Sequence, residues 1–139
     1  MFTAYGRKQG LPHTGCRKMQ RLGYPSFKDL DVWKCSARLA VKVYEALQDC
    51  RDYGLKDQMT RAAVSIASNI AEGAERDSRS EFIRFLHIAK GSSAELRTQV
   101  YIAQRIGLFP GPHANEFVTE LKEISSMLHG LIQSLKLKS

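Results

Sequence analysis

No uninterrupted apolar run in this chain exceeds four residues, Val100-Tyr101-Ile102-Ala103. A membrane-crossing helix needs about 20 predominantly apolar residues, so no span and no membrane partner are expected. The N-terminus is basic but lacks the apolar stretch of a secretory signal. Cysteine is scarce and odd in number: Cys16, Cys35 and Cys50 show no paired spacing. That argues against a disulfide scaffold and for a reducing cytoplasm. No acid stands three residues before a histidine, the Glu-x-x-His spacing of carboxylate di-iron bundles. There is no glycine-rich phosphate loop and no nucleophile elbow. His13-x-x-Cys16 is the one close His/Cys pair, and His87, His113 and His129 stand singly. These absences leave no catalytic constellation, no metal site and no cofactor site. The expectation is a non-enzymatic protein that works through its surfaces.

What is present is enough for one folded domain. A chain of 139 residues is in the range that buries roughly 70% of its unfolded surface around one core. The basic excess is unevenly placed. Residues 1–26 hold Arg7, Lys8, Arg17, Lys18 and Arg21 and no acid, so five of the net +7 lie there and +2 remains for residues 27–139. Gly6, Gly10, Gly15, Gly23, Pro12 and Pro25 break any period in that segment, which reads as a flexible basic arm preceding a helical body. Met19 permits a second reading, with the biological start there and residues 1–18 outside the protein.

From Leu30 onward the apolar spacing is helical. Leu30, Trp33, Ala37, Ala40, Tyr44 and Leu47 form one stripe on a first helix, with Gly54 as its expected stop. A second stripe on that helix, Val32, Leu39 and Val43, reads as apolar surface beyond the needs of one bundle. The second helix runs from about 55 to 76 with Leu55, Met59, Ala62, Ile66 and Ile70 inward, and it is rich in alanine, serine and glycine. Ser78-Arg79-Ser80-Glu81 is a capping box opening a third helix. That helix runs to about 106 and carries Phe82, Phe85, Leu86, Ala89, Leu96, Val100 and Ala103. Gly107, Pro110, Gly111 and Pro112 end it. The fourth shows Phe117, Leu121, Ile124, Leu128, Leu131 and Leu135. Four amphipathic helices with short connections define an all-α, antiparallel up-down-up-down bundle over residues 27–139.

Pairing the second and third helices antiparallel across the Asp77 turn sets facing residue numbers to a sum of about 156. Arg61 then faces Glu95, Ser65 faces Gly91, Asn69 faces His87 and Glu72 faces Arg84. Two readings follow: a polar groove for a ligand, or a polar seam that fixes register or packs against another subunit. Mutual charge satisfaction favours the seam.

The stretch Arg61-Ala62-Ala63-x-Ser65-Ile66-x-x-Asn69-Ile70-Ala71-Glu72-Gly73 resembles the hallmark of the four-helix-bundle proteins encoded in intervening sequences of bacterial 23S ribosomal RNA genes. Glu81-Phe82-x-Arg84-Phe85-Leu86-x-Ile88-Ala89-x-Gly91-Ser92-x-x-Glu95-Leu96 resembles it too, and Phe27-x-x-Leu30-x-x-Trp33 opens the matching region. The resemblance covers about residues 27–135. It implies a homo-oligomeric ring, a pentamer in its best-known arrangement. More distantly it is similar to retroelement accessory proteins, basic rings that bind a reverse transcriptase and nucleic acid. It brings no catalytic activity.

Two functions are thus expected of these surfaces. One is an oligomeric accessory factor that binds RNA or DNA. Its contacts are the arm cations, with Phe2, Tyr5 and Tyr24 for stacking, and the Arg76, Arg79 and Arg84 cluster at the second turn. The other is a protein-interaction module partnering another protein, with no nucleic-acid role. If the arm carries the binding, deleting residues 1–18 removes four cations and shallows the log affinity–log salt slope on a single strand by up to about 3 units. Equal slopes for the two forms in a salt titration mean that the arm is idle.

Overall fold

The computed structural model describes residues 26–109 and 111–138. The arm cations Arg7, Lys8, Arg17, Lys18 and Arg21, and the pair His13 and Cys16, lie outside the described residues. Ser26 Oγ accepts from the Lys28 amide at 3.1 Å and opens a short 3-10 turn, Phe27–Asp29. That turn lays the Phe27 ring edge-on to Trp33, with centroids 5.3 Å apart. Helix α1 follows over Asp31–Ala46, α2 over Tyr53–Glu75, α3 over Arg79–Arg105 and α4 over Gly111–Leu137.

Each boundary has a local cause. Asp52 Oδ1 accepts from the Leu55 amide at 3.1 Å, so α2 starts there. Gly54, expected to stop the first helix, lies instead in the first turn of α2, because α1 has already ended at Ala46. Ser78 Oγ accepts from the Glu81 amide at 3.2 Å and starts α3. Gly107, at φ +82°, closes α3, with Leu108 N–H donating to Ala103 O at 2.8 Å and Gly107 N–H to Gln104 O at 3.1 Å. This Schellman arrangement needs the left-handed conformation that glycine adopts without strain.

The helices pack cyclically: α1 on α2, α2 on α3, α3 on α4 and α4 back on α1, with no diagonal pair of comparable contact. This is the up-down-up-down order that short connections require. The core is aliphatic: Leu39, Val43, Met59, Ile66, Ile70, Leu86, Leu96, Leu121, Ile124 and Leu128 are buried to 2% exposure or less. No helix among the described residues is long and apolar enough to cross a membrane.

Leu30, Ala40 and Leu47 of the expected stripe on the first helix are buried, but the rest of its buried face is not the one expected. Val32, Leu39 and Val43, read as surplus surface, are core residues, whereas Tyr44 is 52% exposed and Trp33 and Ala37 are half-buried. Both stripes are apolar, so the period alone does not choose between them. Chemistry does, because aliphatic side chains bury without leaving a polar group and a tyrosine carries a hydroxyl that needs water or a partner. Ser36 belongs to the buried face as well, its hydroxyl donating to Val32 O at 2.7 Å. On α4 the last core position is Ile132, with Leu131 and Leu135 half-buried beside it.

Helices α2 and α3 approach closely at Gly73. A Cβ there would lie 2.6 Å from Phe85 Cβ and 3.1 Å from Phe82 Cδ1. Neither is the end of a flexible chain, so the helices would have to separate. Gly73→Ala is therefore expected to destabilise by about 1–3 kcal/mol through overpacking, despite alanine's better helix propensity. Gly91→Ala and Gly130→Ala, which meet nothing within 4 Å, are expected to stabilise by up to about 1 kcal/mol. Denaturant midpoints of the three variants check this, and a stabilised Gly73→Ala contradicts the close approach.

Candidate nucleic-acid interface

Between α2 and α3 the polar side chains take partners other than those expected. Ser65 Oγ lies 2.9 Å from Ser92 Oγ, one residue beyond Gly91, which is exposed. The Gly73–Phe85 approach likewise shifts the register by one or two residues from the anticipated sum. Asn69 Nδ2 donates to Ser65 O at 2.8 Å and to Ser65 Oγ at 2.9 Å, while His87 is exposed. Arg61 pairs with Asp57 at 3.1 Å, Glu72 with Arg76 at 3.2 Å and Arg84 with Glu81 at 3.2 Å. Glu95 accepts from Gln99 Nε2 at 3.4 Å. Arg61 and Glu95 line one shallow hollow with Tyr44, Val64 and Ser65, yet each takes a partner on its own helix. Partners at i+3 and i+4 sit on the same face at fixed spacing, so at an exposed seam they win over the next helix.

The basic cluster at the α2–α3 turn is likewise engaged. The Arg76 and Arg84 guanidinium groups lie over the Phe85 ring, 4.9 and 4.6 Å from its centroid. Both also reach Glu81, at 3.9 and 3.2 Å. Hydrogen bonds from Arg84 hold the Glu81 carboxyl below the usual carboxylate range; lost hydration opposes this, and the charges of Arg84 and Arg76 add to it. A lowered folded pKa means that the pairing is present at neutral pH and is lost only as pH falls through that lowered value. Arg79 Nη1 donates to Lys138 O at 2.8 Å, tying α3 to the end of α4. These arginines clamp the turn.

A cluster of cations with no acid among them lies elsewhere, in the furrow between α3 and α4. Its lining is Lys90, Arg97, Lys122, Ser125, Ser126 and His129, without an acid. Lys90 Nζ is 3.5 Å from His129 Nδ1. Helical geometry explains the arrangement: Lys90 and Arg97 on α3, like Lys122 and His129 on α4, are seven residues apart, within about 20° of one line and about 10 Å along the axis. The antiparallel helices thus place two levels of nitrogen-bearing side chains across the furrow, Lys90 with His129 and Arg97 with Lys122, with serine hydroxyls between. Glu116, Glu120 and Glu123 project about 100° or more away from the Lys122 line, and Glu81 and Glu95 are similarly far from the Lys90 line. Glu120 is turned to the other side of α4, where it pairs with Lys42 of α1 at 3.1 Å.

A stripe of cations and hydroxyls free of acids can hold a row of phosphates. Sequence reading missed this set. The seven-residue spacings were visible in each helix, but their meeting depends on the α3–α4 pairing, fixed in part by Ser93 Oγ donating to Leu121 O at 3.4 Å.

The fold and this surface define a four-helix bundle whose distinctive chemistry is an exposed basic furrow. Within that class, the chain belongs to the 23S rRNA-intervening sequence protein family, whose model matches residues 28–130. In fold it is similar to a solved protein of unknown function from the S23 ribosomal protein family of Bacteroides thetaiotaomicron VPI-5482. The TM-score is 0.69 and the identity 23%, covering 73% of this chain and 95% of that one. No curated protein matches the chain.

Because the Arg61 and Asp57 side chains are 79% and 66% exposed, Arg61→Ala is expected to change stability by less than about 0.5 kcal/mol. A double-mutant cycle between positions 61 and 95 should give coupling near zero. Coupling above about 1 kcal/mol means that the cross-helix pair forms after all.

Proposed function

We propose that this protein is a non-enzymatic accessory factor that binds a nucleic-acid backbone in the α3–α4 furrow and acts as a self-associating assembly. The carrying observation is the acid-free lining: Lys90, Arg97, Lys122 and His129 converge with two serine hydroxyls. The body's mean charge conceals it, since Asp57, Glu72 and Glu120 pair with cations at the other faces and no acid lines the furrow. Phosphate contacts of this kind supply affinity without sequence information. Such a role needs no reacting group and no cofactor. Self-association is supported by Val64 and Ile88, 41% and 40% exposed on the outer sides of α2 and α3. Copies joined in one assembly multiply weak furrow contacts by effective concentration.

A second reading, docking of a partner protein, is favoured by Tyr53, Ile102 and Ile106, which are 71%, 49% and 58% exposed. Those side chains sit toward one end of the bundle, away from the Lys90 level. A salt titration of the full chain with a single-stranded RNA separates the two. Lys90, Arg97 and Lys122 replaced together by alanine should shallow the log–log slope by up to about 2 units. Arg76→Ala with Arg84→Ala should leave it unchanged. An unaltered slope in the furrow variant, or no binding by the unmodified protein, refutes the furrow as the binding site.

A further inference from the structure

We infer that the nucleic acid held in this furrow is single-stranded and that Tyr101 stacks on one of its bases, an inference that rests on the furrow being the binding site. Tyr101 belongs to the one four-residue apolar run of the chain, and the bundle divides that run in two. Val100 and Ala103 are fully buried, while Tyr101 is 43% exposed. Taking Lys90 as the reference line, Arg97 lies about 20° to one side and Tyr101 about 20° to the other. Tyr101 is about 6 Å beyond Arg97 along α3 and about 16 Å beyond Lys90. The furrow therefore runs from the Lys90 and His129 level, past Ser125 and Ser126, to the Arg97 and Lys122 level, and ends on an exposed aromatic ring.

Across from Tyr101, continuing the pairing of Lys90 with His129 and Arg97 with Lys122, stands Val118, a half-buried side chain packed against the core. The end of the furrow is thus apolar where its length is cationic. The ring is also uncommitted. Among the described residues the Tyr101 side chain makes no ring stacking, cation–π contact or hydrogen bond, unlike Phe27 with Trp33, Phe109 with Phe117, or Phe85 under its two arginines. Arg105, exposed one turn further on, returns positive charge past the ring.

Cations in a row followed by an exposed aromatic side chain is the combination that binds single strands, with the groove tracking phosphates and the ring offering a face to any base. A duplex cannot use the second element. Its bases are stacked on each other, and freeing one costs a few kcal/mol. The furrow's width points the same way. Packed helices with axes about 8–10 Å apart leave between them a trough for one backbone.

The test is fluorescence anisotropy of the full chain with a labelled oligouridine RNA and with a labelled RNA duplex of equal length, alongside light scattering of each variant. Tyr101→Ala should weaken oligouridine binding by about five-fold or more with the salt slope unchanged. Tyr101→Phe should stay within about two-fold of the unmodified protein, since stacking needs the ring and not the hydroxyl. Binding of the duplex should be weaker than that of oligouridine and indifferent to Tyr101. Wild-type-like affinity of Tyr101→Ala, with Lys90→Ala still weakening binding, overturns the stacking and leaves the furrow standing. Loss in Lys90→Ala absent as well overturns both. Equal losses on duplex and single strand, or a fall in assembly mass with Tyr101→Ala, overturn the inference by assigning Tyr101 to a general or a protein contact.

Discussion

Gly73 lets the α2 backbone come so near α3 that an added methyl would stand 2.6 Å from Phe85 Cβ. Much of the molecule's surface chemistry follows from that approach. It fixes the register at which Ser65 meets Ser92 and seats the Phe85 ring at the turn, where Arg76 and Arg84 cover it. Both arginines then share Glu81. Around this approach the charges are matched locally: Arg61 with Asp57, Arg76 with Glu72, and Arg84 with Glu81. An acid-free group of cations lies on another face, where α3 turns its opposite side to α4.

The separation of acids from the furrow is a matter of helical phase. On α4 the acids occupy the phase that meets α1, where Glu120 holds Lys42. Lys122, Ser126 and His129 occupy the phase that meets the outer side of α3. A net charge summed over residues 27–139 averages these faces and returns a small number, although the furrow lining contains no acid. Fields that steer polyanions depend on the distribution of charge rather than its sum. A modest total is therefore compatible with a strongly basic trough.

The legibility of the sequence varied with how much of each pattern was local. Helix α3 was read almost residue by residue, because Phe82, Phe85, Leu86, Ala89, Leu96, Val100 and Ala103 are all buried and Ser78 caps as its motif requires. Helix α1 was read in part: Leu30, Ala40 and Leu47 are buried as expected, but two apolar stripes overlap on it, and only the packed neighbours decide between Val32, Leu39 and Val43 and the Tyr44 side. The seam pairs failed for a related reason. Arg61 and Arg84 each had a carboxylate, and Glu72 an arginine, about one turn away, and local partners are available at lower entropic cost than those on another helix. The furrow could not be read from either helix alone, since it exists only once α3 and α4 lie side by side. The family, by contrast, was legible in two contiguous blocks, which is why the model match over residues 28–130 agrees with the expected span.

The central claim is that the positive face that binds is the α3–α4 furrow and not the arginine cluster at the α2–α3 turn. A nuclear magnetic resonance titration of the isotopically labelled full chain with oligouridine tests this without altering a residue. Side-chain and amide shifts should concentrate at Lys90, Arg97, Tyr101, Lys122, Ser126 and His129, with Arg76 and Arg84 unmoved. Shifts confined to Arg76, Arg79 and Arg84, or to residues 1–26, would contradict the furrow as the binding surface.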